Sequence, residues 1–267
     1  MDLRATRYEV VDRLATVWLD RPQRSNAWTG RMHAEYRWIF EQLEDRDDVR
    51  AVIVTGSGDR FCVGGDSDAL RDHVERGGYD TGLPPEPSRP GGGDGLDADF
   101  AWQLGYRHPI IAAVNGACAG VGLALALFCD LRFVTPDARM TTAAPKLGLP
   151  AEYGMSWTLP RLVGTTRAAD LLLSGRVFTG EETATWGLWN AVVDDPLDAA
   201  LGWARRLAAT TGPTAVATAK HQLAADLVHN SPEASVGESL RLMDTAMGTA
   251  EYAEGIAAFS ERRDPNF

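Results

Sequence analysis

Apolar residues recur along this chain in two rhythms, and the switch between them marks its organisation. Tyr8-Glu9-Val10-Val11 and Leu14-Ala15-Thr16-Val17-Trp18-Leu19 flank Asp12-Arg13 and predict a β-hairpin. The continuous apolar runs Ala51-Val52-Ile53-Val54 and Ile110-Ile111-Ala112-Ala113-Val114 read as buried strands, with a further strand over 131–134. Helical spacing appears over 31–43, 67–76, 121–129, 154–162, 165–174 and 180–186, and a strand is predicted over 190–193. From Leu197 to Phe259 the pattern is helical, with breaks at Gly212-Pro213, Ser231-Pro232 and Gly248; Thr179 and Ser231 sit where helix starts are expected. Residues 77–97 carry Gly, Pro and Asp with nothing to form a core, which predicts a mobile surface loop whose length suits a lid. Mixed strands and helices followed by helices alone indicate an α/β domain over 1–195 and a helical C-terminal region over 196–267.

Composition narrows the picture. The chain has 267 residues, 45% of them hydrophobic, enough for one large domain with a sizeable core. A net charge of −11 argues against a nucleic-acid surface but leaves room for an anionic ligand held by a few arginines and helix N-termini. Cys62, Cys118 and Cys129 lie in apolar or glycine-rich stretches without CxxC spacing, as reduced core thiols do. No apolar segment follows Met1-Asp2-Leu3-Arg4, and the apolar stretch 110–128 is broken by Asn115 and glycines. The expectation is a cytoplasmic protein with no signal peptide and no membrane partner. The five histidines have no metal-ligand spacing, so no metal site is expected. Lys220 reads as a surface charge, Asp66 as the cap of the helix after it, and Asp68 as a surface acid.

The candidate chemistry lies in two glycine-rich turns, Phe61-Cys62-Val63-Gly64-Gly65-Asp66 and Asn115-Gly116-Ala117-Cys118-Ala119-Gly120-Val121-Gly122. Each follows a buried strand and opens a helix, and such an end exposes free backbone N–H groups. Two of these ends brought together make a paired-donor pocket for a developing oxyanion.

With Leu19-Asp20-Arg21-Pro22, Ser25-Asn26-Ala27, Leu125-Ala126-Leu127-Phe128-Cys129-Asp130, Leu159-Pro160-Arg161-Leu162-Val163-Gly164 and Glu254-Gly255-Ile256-Ala257-Ala258-Phe259, these turns resemble the enoyl-CoA hydratase/isomerase family, the crotonase superfamily. The resemblance runs nearly end to end. It implies a crotonase-like spiral of ββα units with a helical C-terminal trimerisation region, a homotrimer or dimer of trimers, and acyl-CoA thioesters as substrates. Coenzyme A enters only as part of the substrate, with no permanently bound cofactor. The family's oxyanion hole maps onto the backbone N–H groups of Gly65 and Val121. Its CoA contacts map onto Val63, Gly65 and Ser67, onto Arg24 near the phosphates, and onto Phe259 with Arg262 or Arg263 from a neighbouring subunit; the two C-terminal arginines also suit a solvated helix end.

The two glutamates of the family's hydratases fall on Ala124 and Ala144, which move no protons. These alanines are expected to face the acyl end of the pocket. One acid remains in Leu147-Gly148-Leu149-Pro150-Ala151-Glu152-Tyr153-Gly154, where isomerases of the family carry a single carboxylate. Glu152 is the candidate catalytic residue and is expected to be the only carboxylate near the acyl group; its plain alternative is an acid favourable to a helix N-terminus. This implies one-base enoyl-CoA isomerase chemistry, with C–C hydrolysis of CoA-linked β-diketones or CoA-thioester binding without catalysis as alternatives.

Overall fold

The computed structural model describes residues 1–76, 95–229 and 231–267. The N-terminal hairpin pairs β1 (Thr6–Val11) with β2 (Leu14–Leu19) in register from Thr6↔Leu19 to Val11↔Leu14. Asp12 and Arg13 both take positive φ, 51° and 67°, which matches the twist of a two-residue hairpin. After α1 (Gly30–Glu44), the chain repeats a strand–strand–helix unit. β3 (Ala51–Gly56) and β4 (Arg60–Cys62) lead into α2 (Ser67–Arg76). After the short α3 (Trp102–Gly105), β5 (Ile110–Val114) and β6 (Ala117–Ala119) lead into α4 (Val121–Leu127). Then β7 (Leu131–Val134) and β8 (Arg139–Thr141) lead to α5 (Met155–Val163) and α6 (Thr165–Ser174).

The first strand of each unit joins one sheet and the second joins another, which makes a spiral. With β9 (Phe178–Thr179) and β10 (Ala191–Val192), the orders are β1-β2-β3-β5-β7-β10 and β4-β6-β8-β9. Two asparagine side chains, Asn26 and Asn115, bridge the crossings between sheets. Asn26 donates to the carbonyls of Ser57 and Arg60, and Asn115 donates to those of Gly56 and Gly58. These bonds set where β4 and β6 begin.

The continuous apolar runs follow from the larger sheet being covered on both faces. Val52, Val54, Ile110 and Ala112 enter the main core, whereas Ala51, Ile53, Ile111 and Ala113 face the other way, onto Ala200 and Ala204. Those two alanines belong to α7 (Pro196–Thr210). On the core side, α1 buries Tyr36, Ile39, Phe40 and Leu43 and is capped by Thr29, whose side chain accepts from the Met32 N–H. The Glu35 carboxylate accepts from the N–H groups of Arg4, Ala5 and Thr6, which clamps the start of β1 onto α1.

The last part of the chain is helical as predicted, with α8 (Pro213–His229), α9 (Pro232–Met247) and α10 (Ala250–Glu261) after α7. α9 buries no residue in the single chain, and Val236, Leu240 and Met243 on it are exposed. Among the described residues no helix is long and apolar enough to cross a membrane.

Two expectations change. The segment 180–186 forms successive turns rather than a helix, because Thr183 and Ala184 take only short i→i−3 and i→i−4 contacts before Gly187 reverses the chain. Lys220 is not a surface charge; its side chain is 7% exposed, and its Nζ donates to Asp130 Oδ2 at 2.6 Å and to the His108 carbonyl at 2.9 Å. Helical periodicity alone does not show which polar residue faces inward. The expected loop over 77–97 lies outside the described residues except at its end, where Leu96 is buried and Gly95 and Asp97 are exposed.

Candidate active site

The first turn leaves β4 and is pinned by Trp28. The Trp28 N–H donates to the Gly64 carbonyl at 2.8 Å, and the Asp66 N–H donates to the Trp28 carbonyl at 2.9 Å. In a parallel bridge of this kind the N–H of the central residue, Gly65, points away from the partner strand. The second turn leaves β6. The Gly120 N–H donates to the Thr141 carbonyl, and Gly120 takes φ 49° and ψ −121°. Val121 is the first helical residue, so its N–H has no carbonyl one turn back to receive it.

Close packing brings the two turns together. A Cβ on Gly122 would fall 2.5 Å from the Cys62 carbonyl oxygen, so only glycine lets the start of α4 rest on β4. A Cβ on Gly120 would meet Gly64 Cα at 3.8 Å and the Glu152 carboxylate at 3.6 Å. The turns and Glu152 therefore share one cleft, lined by Gly64, Gly65, Gly120, Val121 and Glu152, with Trp28, Val63, Leu70, Leu147, Leu149 and Tyr153 among its walls. Gly122→Ala forces backbone apart at this contact, which costs about 1–3 kcal/mol as overpacking. Chemical denaturation should show that loss, and turnover should fall further than stability alone explains because the donors separate.

Two carboxylates line the cleft and differ in character. Asp66 is 3% exposed and bonds Arg21 at 3.0 Å and Arg24 at 2.9 Å. It also accepts from the Asp68 N–H, as the expected cap of α2. Its burial works against ionisation, but the two guanidiniums and the backbone donor prevail and hold its pKa at about 2. An anion so held is a poor base. Glu152 is half-buried, and burial raises its pKa from the ordinary glutamate value. Among the described residues its carboxylate has no ion-pair partner. The expectation that Glu152 is the only carboxylate beside the acyl site therefore needs correcting: Asp66 is there as well, chemically occupied.

The remaining candidates scatter. Val63 lines the cleft, and Ser67 begins α2 beside it. Arg24 is bound by Asp66 and also by Asp68, which is exposed as expected. Phe259 is 84% exposed, and neither it nor Arg262 lines this cleft within the single chain. Arg263 pairs with Glu254 and Glu261. Ala124 and Ala144 do not line the cleft as expected; both are fully buried, and Ala143, at φ 59°, takes the lining position instead. Burial pushes the Cys62 thiol up to about 12, so it stays neutral under the first turn.

Trp28, His33 and Tyr153 also line the cleft without having been singled out as site residues. Trp28 follows Asn26-Ala27 directly and precedes the Thr29 cap, a position that offered a signal; His33 offered none, since one polar residue on an amphipathic helix is usually solvent-facing. Among the described residues no group of His, Cys, Asp and Glu is placed to hold a metal ion.

Comparison with known proteins extends this geometry. The family model for enoyl-CoA hydratase/isomerase matches residues 9–267. The chain is 32% identical over 260 residues to 1,2-epoxyphenylacetyl-CoA isomerase from Escherichia coli, covering 94% of each chain. It is 35% identical over 271 residues to a Rhodobacter capsulatus protein named "Probable enoyl-CoA hydratase", covering 100% of this chain and 99% of that one. Its fold superposes with a TM-score of 0.85, at 28% identity and 98% coverage of both chains, on the crystal structure of a "probable enoyl-CoA hydratase/isomerase" from Mycobacterium abscessus.

Proposed function

The chain belongs to the enoyl-CoA hydratase/isomerase family of crotonase-fold enzymes, and from that premise we propose that it moves the double bond of an enoyl-CoA thioester with Glu152 as its single base. One observation carries the reading: the cleft where the two glycine turns meet holds an ion-paired carboxylate, Asp66, and a desolvated one free of cations, Glu152.

The substrate carbonyl accepts from the N–H groups of Gly65 and Val121. Glu152 takes a proton from the α-carbon of a 3-enoyl thioester, and the electron pair delocalises onto the carbonyl oxygen. The same carboxyl then returns that proton to the γ-carbon, leaving the double bond between the α- and β-carbons. Atoms and charge balance without water or a second acid. Each preorganised donor is worth about 3–4 kcal/mol of barrier in sites of this kind. Water addition, in contrast, needs one group to activate water and another to manage the α-proton, and Ala124 and Ala144 supply neither.

The pantetheine and adenine are proposed to run past Val63, Gly65 and Ser67. Arg24 meets the phosphates only by sharing a guanidinium already held by Asp66 and Asp68. The exposed faces of α9 and α10 are proposed to pack in a homotrimer or dimer of trimers, in which Phe259 and Arg262 of one subunit reach the CoA of the next. Sedimentation should then give a multiple of three times 28.9 kDa, and a stable monomer at micromolar concentration would refute it.

Mass spectrometry of the purified chain with 2-enoyl-, 3-enoyl- and β-diketo-CoA thioesters tests the function. The reading expects a rearranged product of unchanged mass from the 3-enoyl thioester. Cleavage of the diketone alone, or binding with no product, would replace it.

A further inference from the structure

We propose that Asp66 is a positioning residue: its carboxylate, clamped between Arg21 and Arg24, keeps the Gly65 N–H aimed at the thioester carbonyl. This rests on the acyl-CoA reading above and goes beyond it by giving a task to the carboxylate that moves no proton. Arg21 Nη1 donates to Asp66 Oδ2 at 3.0 Å and to the Ala27 carbonyl at 2.6 Å. Arg24 Nη2 donates to Asp66 Oδ1 at 2.9 Å, and the Asp66 N–H donates to the Trp28 carbonyl at 2.9 Å. Asp66 thus ties down the segment 21–28 through Arg21, through Arg24 and through Trp28.

That segment is strained and needs such ties. Ser25 and Asn26 take φ of 52° and 54°, and successive left-handed residues persist only where their surroundings over-determine them. The segment in turn orients the donor. The Trp28 N–H donates to the Gly64 carbonyl at 2.8 Å. The Gly64 carbonyl and the Gly65 N–H share one trans peptide plane and point in opposite directions, so holding the carbonyl on Trp28 holds the N–H away from it. Glycine lies on both sides of this peptide, and Gly64 takes φ 103°, so the local backbone does little to stop the plane rotating. Its orientation must come from bonds outside the turn. Capping α2 does not account for the charge on Asp66. The cap needs only the Oδ1 contact from the Asp68 N–H, which a neutral asparagine makes as well. The two guanidiniums are what the carboxylate charge holds.

Asp66→Asn keeps the shape and the cap and removes the charge. The test binds 4-(dimethylamino)cinnamoyl-CoA to the intact protein and reads its absorption maximum. This enoyl thioester has no γ-proton to move, and donors on its carbonyl shift its absorption to the red. The wild type should show that red shift. Asp66→Asn should lose most of it while the probe's Kd stays within about threefold, because a misaimed donor costs the charge-developed state more than ground-state binding. Isomerase kcat should fall about 10–10²-fold in the same variant, the scale of a small misplacement. Arg21→Gln cuts the same chain of bonds at its other end and serves if the asparagine variant does not melt cooperatively. A full red shift in both variants, or a wild type that binds the probe without one, would overturn the positioning role and leave the acyl-CoA reading intact. A wild type that does not bind the probe would overturn both.

Discussion

Replacing Glu152 with glutamine should lower isomerase turnover by about 10²–10⁴-fold, the usual loss for one general acid/base, while leaving the protein at least as stable as wild type at neutral pH. The two effects share a cause. Burial raises the Glu152 pKa, so the fold prefers this carboxyl neutral. Its stability contribution is fully present below the unfolded-state pKa and is lost as pH rises through the folded-state value. Wherever the carboxyl ionises, the wild type carries a half-buried charge that the amide variant lacks. The same shift sets the acid limb of the wild-type pH–rate profile. Turnover should rise with pH as Glu152 ionises, with a midpoint shifted upward from that of an exposed glutamate. Paired assays of kcat and urea denaturation check both halves. A glutamine variant that is inactive because it is unfolded would show a drop in stability, which is the opposite sign.

Lys220→Met should destabilise the fold by about 3–5 kcal/mol, the range for removing one member of a buried ion pair. Asp130 Oδ2 accepts from Lys220 Nζ and from the Ile110 N–H at 2.7 Å, so the pair ties α8 to the first residue of β5. Burial lowers the lysine pKa, and the carboxylate opposes that shift. Without the ammonium, the largely buried Asp130 carboxylate loses its counter-charge and keeps only the Ile110 N–H, and the His108 carbonyl loses the Lys220 donor. The double variant Lys220→Met with Asp130→Asn should recover part of the loss, because the uncompensated charge goes with it. Urea midpoints at constant slope measure this. A single variant within about 1 kcal/mol of wild type would mean the pair is solvated and weak, as surface bridges are.

The architecture was legible because its signals are local and repeated. The runs at 51–54 and 110–114 are apolar on both faces, and the structure covers both faces, one by the main core and one by α7. The breaks at Gly212-Pro213, Ser231-Pro232 and Gly248 end or begin helices because proline and glycine act on their own backbone. The meeting of the two turns was legible in outline, since glycine at 120 and 122 marks a strained turn and a close backbone approach. What failed depended on direction. Lys220 looked like any polar residue of an amphipathic helix until its partner, ninety residues earlier in the chain, was in place. Ala124 and Ala144 were expected in the cleft wall, but both are fully buried, and Ala143 lies there instead. Asp66 was read correctly as a cap, yet only the fold shows it in the cleft and held by two arginines. The turns replacing a helix at 180–186 end where Gly187 takes φ 81° and reverses the chain, a single residue that helical periodicity does not register.

The single-base claim is tested most directly by giving wild-type protein a 3-enoyl-CoA thioester deuterated at the α-carbon and reading the product by mass spectrometry and proton NMR. A lone carboxyl that carries the proton across one face predicts a conjugated 2-enoyl product with no added water and part of the label moved to the γ-carbon. A product that has gained water, or the same rearrangement at full rate in Glu152→Gln, would contradict it.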